Sequence, residues 1–223
     1  MSKYLIHCCN SRRWYVDKYL VPSMLKQGIN ESDITIWQDT EEKGCLESCM
    51  QSFLQLKGNG AEGTWHIQDD VVIADNFKEL TEMYDNGIVC GICTDYDYNE
   101  KCGAFSTVDL MWYSFPCIRI PDETARMSAQ WFYNEARYDG RYDPWAHGKK
   151  DDDVMFRWFL KQHEPVLALN LYPNIVNHID YLLGGSVINS ARAKDINTMA
   201  KYWKDTKTLE KIEKELSNAG EKN

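Results

Sequence analysis

The sequence predicts a single α/β domain with a mostly parallel central sheet flanked by helices. Short apolar runs of strand length alternate with amphipathic segments of helical period, which is typical of βαβ units. Polar residues follow directly after several apolar runs, as expected where strands end and loops begin. The chain has 223 residues, of which 43% are hydrophobic and 26% charged. These values are sufficient for the buried core of one large domain.

The first half of the chain contains most of the predicted elements. Gly28 is a candidate C-cap of the first helix, and the Gly58-Asn59-Gly60 run ends the second. Apolar runs predict strands at residues 4–9, 34–37, 64–68 and 87–93, and the third of them runs through Asp69-Asp70 into the apolar residues 71–73. Helical spacing of apolar residues predicts helices at residues 14–25, 46–56 and 77–84.

The second half is less regular but still predicts helices. Residues 111–120 contain aromatic, strand-like pieces, and Pro121 is placed to open a helix over residues 122–133. Three aspartates begin a further apolar helix at 151–160, and a charged amphipathic helix is predicted from about 195 to 216. We therefore assign a domain to residues 1–190 and a C-terminal amphipathic helix or tail to residues 191–223.

Charge and composition narrow the function classes. The formal net charge of −9 gives no general attraction to nucleic acid or anionic membranes. No run of about 18 apolar residues is present and the N-terminus has no signal-peptide pattern, which favours a cytoplasmic protein without a membrane span. Of the 8 cysteines, Cys90 and Cys93 have zinc-knuckle spacing but lie in an apolar run. We expect them to be buried free thiols.

Polar clusters follow three of the predicted strands. Asn10-Ser11-Arg12 follows the first strand, Asp39 the second and Asp69-Asp70 the third. In parallel sheets, ligands bind outside the carboxyl ends of the strands. The sequence therefore predicts that these clusters converge on one site.

The adjacent carboxylates of Asp69 and Asp70 suggest a metal site. Two like charges at close range repel, and a proton or a cation between them relieves the repulsion. Hard oxygen ligands suit Mg²⁺ or Mn²⁺, which would hold phosphate oxygens of a substrate. Asp70 is the predicted metal ligand, and Asp69 is expected to bind a ribose or orient the site. The alternative is a turn with two solvated acids.

The segment from Lys43 to Phe77 resembles glycosyltransferases of the GT-A fold, and lipopolysaccharide-type galactosyltransferases in particular. The resemblance is carried by Gly44-Cys45-Leu46-Glu47-Ser48 and by the strand Trp65-His66-Ile67 followed by Gln68-Asp69-Asp70-Val71. The opening Cys8-Cys9-Asn10-Ser11-Arg12 resembles the nucleotide-contacting first strand and loop of that fold. The whole chain is also similar to glycosyltransferase-like proteins of bacteriophages and prophages, over about residues 3–190.

The resemblance implies a Rossmann-like GT-A domain that uses a UDP-type nucleotide-sugar donor and Mn²⁺ or Mg²⁺. It places Asp39 on the base, and Asp70 and His178 on the metal. The remaining nucleotide-sugar-binding candidates are Asn10, Ser11, Arg12, Gln68 and Asp69. Two positions depart from the family pattern. Gln68 replaces the usual acid, and Cys49 stands where the lipopolysaccharide-type enzymes have a histidine.

The acidic start of the helix at 151–160 supplies the candidate general base. An inverting transferase needs a base that removes the acceptor hydroxyl proton. Asp152 is preferred and Asp153 is the second candidate. The structural alternative is that these acids only stabilise the helix N-terminus. The acceptor implied by the resemblance is either a glycan or a hydroxymethylated pyrimidine in phage DNA.

Two rival functions remain open from the sequence. Paired acids and a histidine also suit a metal-dependent phosphohydrolase or nuclease, although such sites usually have more carboxylates. The third possibility is a catalytically inactive nucleotide-binding protein, which Gln68 keeps open.

Overall fold

The computed structural model describes residues 2–56, 62–92, 105–107, 115–136, 152–163, 168–171 and 174–183, with residues 210–211, 213–215 and 217–218 near the C-terminus. Within these ranges no helix is long and apolar enough to cross a membrane.

Among the described residues, seven strands form the main sheet, and two more form a small second sheet. The main sheet has the order β2-β1-β3-β7-β5-β8-β6, and β4 pairs with β9 in the second sheet. The strands are β1 (Lys3–Cys9), β2 (Ile34–Asp39), β3 (Gly63–Gln68), β4 (Val71–Ile73), β5 (Ile88–Cys90), β6 (Phe105–Thr107), β7 (Cys117–Pro121), β8 (Ala168–Asn170) and β9 (Val176–His178).

Most strands of the main sheet run in one direction. β1 is parallel to β2 and β3, and β5 is parallel to β8. β7 is antiparallel to both β3 and β5, and β6 is antiparallel to β8. Thus β1, β2, β3, β5 and β8 share one direction, and the predicted mostly parallel α/β sheet is confirmed.

Two hydrogen bonds hold the end of the antiparallel strand β7. β7 leads directly into a helix that begins at Asp122, and the Asp122 N–H donates to the Glu62 carbonyl at 3.0 Å. The Thr64 hydroxyl donates to the Asp122 carboxylate at 2.8 Å. These bonds fix the end of β7 beside the start of β3.

The helices cover both faces of the main sheet. They are α1 (Arg13–Tyr15), α2 (Val21–Lys26), α3 (Cys45–Leu54), α4 (Phe77–Met83), α5 (Asp122–Trp131) and α6 (Asp152–His163). A π-helical turn, Val16–Leu20, joins α1 to α2. Successive strand side chains point to opposite faces, so one core lies against α2 and α4 and the other against α3, α5 and α6.

The predicted elements of the first half are present, with bounds that differ by a few residues. The strand predicted at 87–93 is shorter, Ile88–Cys90. The helix predicted at 122–133 is α-helical to Trp131 and continues as a π-helical turn, Phe132–Ala136. Cys90 is a buried free thiol as expected, whereas Cys93 lies outside the described residues. The described residues between 210 and 218 are helical, and residues 191–209 lie outside the described part.

Candidate active site

The candidate site lies at the carboxyl ends of β1, β2 and β3. The parallel register pairs Cys9 with Asp39 and His7 with Gln68. The loops that follow the three strands therefore emerge from the same edge of the sheet. The polar clusters predicted to converge lie at one edge, because the loop after β1 contacts both the end of β2 and the acid pair after β3.

The acid pair occupies the turn between β3 and β4 and is held by the second sheet. Val71 on β4 pairs with His178 on β9. The Ile179 N–H donates to the backbone carbonyl of Asp70 at 2.8 Å. Only 5% of Asp69 and 6% of Asp70 is exposed to solvent. The alternative of two solvated acids in a turn is therefore wrong.

Both oxygens of the Asp69 carboxylate are engaged by the loop after β1. The Cys9 N–H donates to Oδ2 at 2.7 Å, and Arg12 Nη1 donates to Oδ1 at 3.2 Å. A backbone donor and a charged donor are among the stronger partners that a carboxylate can have. Asp69 thus connects the turn after β3 to the loop after β1.

Asp70 contacts two basic groups that come from distant parts of the chain. Its Oδ2 accepts a short hydrogen bond from Arg12 Nη1. Its Oδ1 lies 3.0 Å from His178 Nε2. A single guanidinium nitrogen of Arg12 therefore bridges the two acids. His178 contacts the other oxygen of the Asp70 carboxylate, the one that Arg12 does not contact.

These contacts set the ionisation of the cluster. Burial raises the pKa of Asp69, and the charge of Asp70 raises it further. Burial also acts to raise the pKa of Asp70, but His178 and Arg12 outweigh it and the pKa falls to about 2. Burial acts to lower the pKa of His178, but Asp70 outweighs it and the pKa is raised. Asp70 is therefore held as a carboxylate by two basic side chains, Arg12 and His178.

The residues of this cluster fit a divalent metal. Asp70 Oδ1 and His178 Nε2 are both buried, and apart from each other they have no polar partner among the described residues. A carboxylate oxygen beside an imidazole nitrogen is a suitable donor pair for Mn²⁺, and the nitrogen favours Mn²⁺ over Mg²⁺. In the described ranges no group of three or more His, Cys, Asp and Glu side chains is arranged to hold a metal. Asp70 and His178 are thus a pair of donors and not a complete set of metal ligands.

The helical segment after β1 contributes a tyrosine that sequence reasoning missed. The hydroxyl of Tyr15 donates to the backbone carbonyl of Val71 at 2.9 Å, directly after the acid pair. Its ring stacks on Tyr19 with a centroid distance of 5.5 Å. The π-helical turn Val16–Leu20 begins immediately after Tyr15, and such turns are frequent at functional sites. The apolar spacing of Tyr15 and Tyr19 indicated only a core position.

Asp39 organises the loop that leads into α3. Its two oxygens accept the backbone N–H groups of Lys43 and Gly44, each at 3.0 Å. Gly44 has a φ of 88°, which a residue with a side chain rarely adopts. Asp39 lies at the predicted edge, and its carboxylate has a loop-forming role that the sequence did not indicate.

Asn10 and Ser11 line the same edge. The Asn10 amide oxygen accepts from Gln38 Nε2 at 2.6 Å, and its Nδ2 donates to the Thr40 carbonyl at 3.3 Å. The Ser11 hydroxyl lies 3.3 Å from the Cys9 thiol. Arg13 Nη1 donates to Gln38 Oε1 at 2.9 Å. Gln38 is a second residue that sequence reasoning missed, although its position beside Asp39 at a strand end was a usable signal.

Gln68 does not join the acid pair but contacts the candidate base. Its Nε2 lies 3.5 Å from Oδ2 of Asp152, at the start of α6. Asp152 is 8% exposed, and its Oδ1 accepts the backbone N–H of Asp153 at 2.9 Å. The Asp153 carboxylate instead pairs with Arg157 at 3.2 Å within the same helix. The two acids therefore differ, and Asp152 is the one oriented toward the strand end.

Two histidines lie beneath Gln68 on the same face of the sheet. His7 Nε2 and His66 Nδ1 are 3.1 Å apart, and Phe53 packs edge-on against the His66 ring. Burial lowers the pKa of His7 to about 4, and burial followed by the neighbouring His7 lowers that of His66. Both rings are therefore neutral near pH 7, and they form part of the scaffold under the site.

Comparisons with known proteins do not identify a family. No family model matches the chain, and no curated protein matches it. Among solved structures, the chain is similar to the crystal structure of HddC from Yersinia pseudotuberculosis, with a TM-score of 0.31 and 9% sequence identity. That similarity covers 57% of this chain and 80% of HddC.

Proposed function

We propose that the protein is a metal-dependent glycosyltransferase of the GT-A fold that moves a sugar from a UDP-type donor to an acceptor hydroxyl. The observation that carries the proposal is the pairing of Asp70 Oδ1 with His178 Nε2 at 3.0 Å. Asp70 follows the parallel strand β3, and β9 of the second sheet brings His178 to the same edge. Ligands of α/β proteins bind at the carboxyl ends of parallel strands. Such a cluster suits a ligand that brings both a cation and a diphosphate, because the acids can bind the cation and Arg12 can bind the phosphates.

In this proposal Asp70 and His178 hold Mn²⁺ or Mg²⁺, and the metal when bound neutralises charge on the departing diphosphate. Arg12 and the loop residues Asn10 and Ser11 contact the nucleotide. Asp69 is fixed on two sides by Arg12 and the Cys9 N–H, and it orients the loop or binds the ribose. Asp39 serves the base site through the loop that it holds in place.

Asp152 is the proposed general base. It is buried and lies beside Gln68, the residue immediately before the acid pair. Asp153 is less suitable, because Arg157 already engages its carboxylate. Because the Gln68 side chain is a neutral amide, the contact between Gln68 and Asp152 contains one carboxylate, that of Asp152. An acid at position 68 would repel the Asp152 carboxylate, so the departure from the family pattern fits a base at Asp152.

The proposed acceptor is a glycan or a hydroxymethylated pyrimidine in phage DNA. The net charge of −9 favours the glycan, because a DNA acceptor would have to overcome general repulsion. Salt dependence separates the two acceptors. Binding of DNA falls steeply with salt, since each phosphate contact releases counterions.

The first experiment is a thermal-shift screen of UDP, GDP, CMP and their sugars, each with and without Mn²⁺. A ligand that binds only the native state raises the melting temperature by mass action. We expect a uridine nucleotide to raise it only with Mn²⁺, and Asp70→Asn to abolish the shift. Glu82→Gln, a change to an exposed acid on α4, is the matched control and should keep the shift. Failure of every nucleotide to shift the wild type would refute the proposal.

Hydrolysis is the rival chemistry, and one geometric observation weighs against it. A two-metal hydrolase needs carboxylates around both ions, whereas both Asp69 oxygens are already engaged by Arg12 and the Cys9 N–H. Cleavage of a generic phosphodiester with Mn²⁺ provides the test. Turnover that disappears in Asp70→Asn would assign the site to a phosphohydrolase instead.

A further inference from the structure

Arg12 places a positive charge between the carboxylates of Asp69 and Asp70 in the free protein. Its side chain is buried, with 6% of the residue exposed, and Nη1 contacts one oxygen of each acid. Two buried neighbouring carboxylates repel strongly unless a cation lies between them. The guanidinium supplies that cation without any ligand.

The same contact opposes a metal. Arg12 and His178 approach opposite oxygens of one Asp70 carboxylate. A divalent cation held by Asp70 and His178 would therefore lie within a few ångströms of the guanidinium. At such separations in a partly buried site, like charges repel strongly. The free protein is thus poorly arranged to bind metal alone.

A diphosphate removes the conflict. A guanidinium pairs readily with phosphate oxygens, often through two parallel hydrogen bonds. Arg12 lies in the 3₁₀ turn directly after β1, at the ligand-binding edge of the sheet. A diphosphate at this edge would offer Arg12 an alternative partner and leave Asp70 to the metal.

We propose that Arg12 is an exchangeable counter-ion, which neutralises Asp69 and Asp70 in the free protein and transfers to the diphosphate when metal and nucleotide bind together. This inference rests on the proposed nucleotide and metal site and adds that the two ligands bind cooperatively. Metal and nucleotide then bind cooperatively, because each removes the obstacle to the other. By linkage, UDP raises the affinity for Mn²⁺ by the same factor as Mn²⁺ raises the affinity for UDP.

The test is a Mn²⁺ titration followed by electron paramagnetic resonance of the free ion, with and without UDP. In the wild type we expect UDP to tighten Mn²⁺ binding by about 10–100-fold. In Arg12→Gln, Mn²⁺ without UDP should bind at least about tenfold tighter than to the wild type, because the repelling charge is gone. The effect of UDP on Mn²⁺ binding should become small in that variant.

Two further variants guard against misfolding. Arg12→Lys keeps the charge and should keep weak Mn²⁺ binding without UDP. Arg12→Gln combined with Asp69→Asn removes one charge of each sign, so that the fold is preserved while Asp70 and His178 remain. In this double variant, as in Arg12→Gln, UDP should change the affinity for Mn²⁺ only slightly.

Two negative results have different meanings. If the wild type binds Mn²⁺ through Asp70 but Arg12→Gln binds it no more tightly, the counter-ion inference is overturned and the proposed metal site stands. If no variant binds Mn²⁺ with or without UDP, the proposed metal-dependent function fails and the inference fails with it.

Discussion

Replacing Arg12 by glutamine tests whether the guanidinium holds the acid pair together. The side chain is buried and contacts Asp69 and Asp70 through one nitrogen. Removal of one partner of a buried ion pair typically costs about 3–5 kcal/mol, because the remaining charge is left uncompensated. Here two carboxylates remain, with His178 as the other basic group in contact. We expect a loss near the upper end of that range at pH 7.

The pH dependence of the loss is a more specific signature than its size. In the wild type the pKa of Asp70 is lowered from 3.8 to about 2. Because the folded-state pKa lies below the unfolded one, this shift stabilises the protein by about 2 kcal/mol above pH 4. That contribution disappears as the pH falls toward 2. Without Arg12 the folded-state pKa values of both acids rise, so the deficit of the variant should shrink as the pH falls from 7 to 4.

The assay is urea unfolding at pH 7 and at pH 4, followed by tryptophan fluorescence. Arg126→Gln is the matched control, because Arg126 pairs with Glu123 on the exposed surface of α5. Exposed pairs contribute about 0–1 kcal/mol. A deficit for Arg12→Gln that is as small as the control, or one that is unchanged between pH 7 and pH 4, would refute the assignment of Arg12 as the counter-ion of the acid pair.

Other predictions concern the face of the sheet beneath the site. Gln68→Glu places a second carboxylate beside Asp152, where the Gln68 amide now lies 3.5 Å from its Oδ2. The kcat should fall about 10–100-fold, and the acidic limb of the pH–rate profile should move to higher pH. Gln68→Ala should leave that limb unmoved. The histidine pair should affect acid stability. Because the pKa of His7 is lowered to about 4 and that of His66 is also lowered, the unfolded chain takes up protons below pH 6.5 that the folded rings do not. The wild type should therefore lose stability from pH 6.5 to 4, on the order of 3 kcal/mol for His7 alone. The double variant His7→Phe, His66→Phe should show a shallower loss in chemical unfolding, and an equal slope would contradict the buried neutral pair. Tyr15→Phe leaves a buried carbonyl of β4 unpaired and should lower the unfolding free energy by about 1–3 kcal/mol.

The sequence predicted the sheet and the location of the site because both depend on local patterns. Apolar runs of strand length mark β1, β2 and β3, and a polar cluster follows each of them. The parallel register then brings those clusters to one edge, which requires no long-range information beyond the alternation of strands and helices. The acid pair was recognisable for the same reason, as it directly follows β3.

The partners of the acids were not predictable from local patterns, although the resemblance had grouped His178 with Asp70. Arg12 precedes Asp70 by 58 residues in the chain, and His178 pairs with the acid only through the β4–β9 sheet. The sequence gives no signal that a loop arginine will contact two carboxylates instead of solvent. Likewise, the resemblance grouped Gln68 with the acid pair, but Gln68 ends β3 and its side chain contacts Asp152. Because successive side chains of a strand point to opposite faces of the sheet, the side chain of Gln68 lies on the other face from that of Asp69.

The energetics of the cluster favour a binding role over a structural one. Taking several ionised groups out of water costs free energy that their mutual attraction only partly offsets, and apolar residues of similar volume often stabilise a fold more. Asp69, Asp70, Arg12 and His178 are nevertheless grouped where three parallel strands end. The proposed ligand accounts for the cluster at that edge, because a ligand with both a cation and a diphosphate would offer a partner to each of its members.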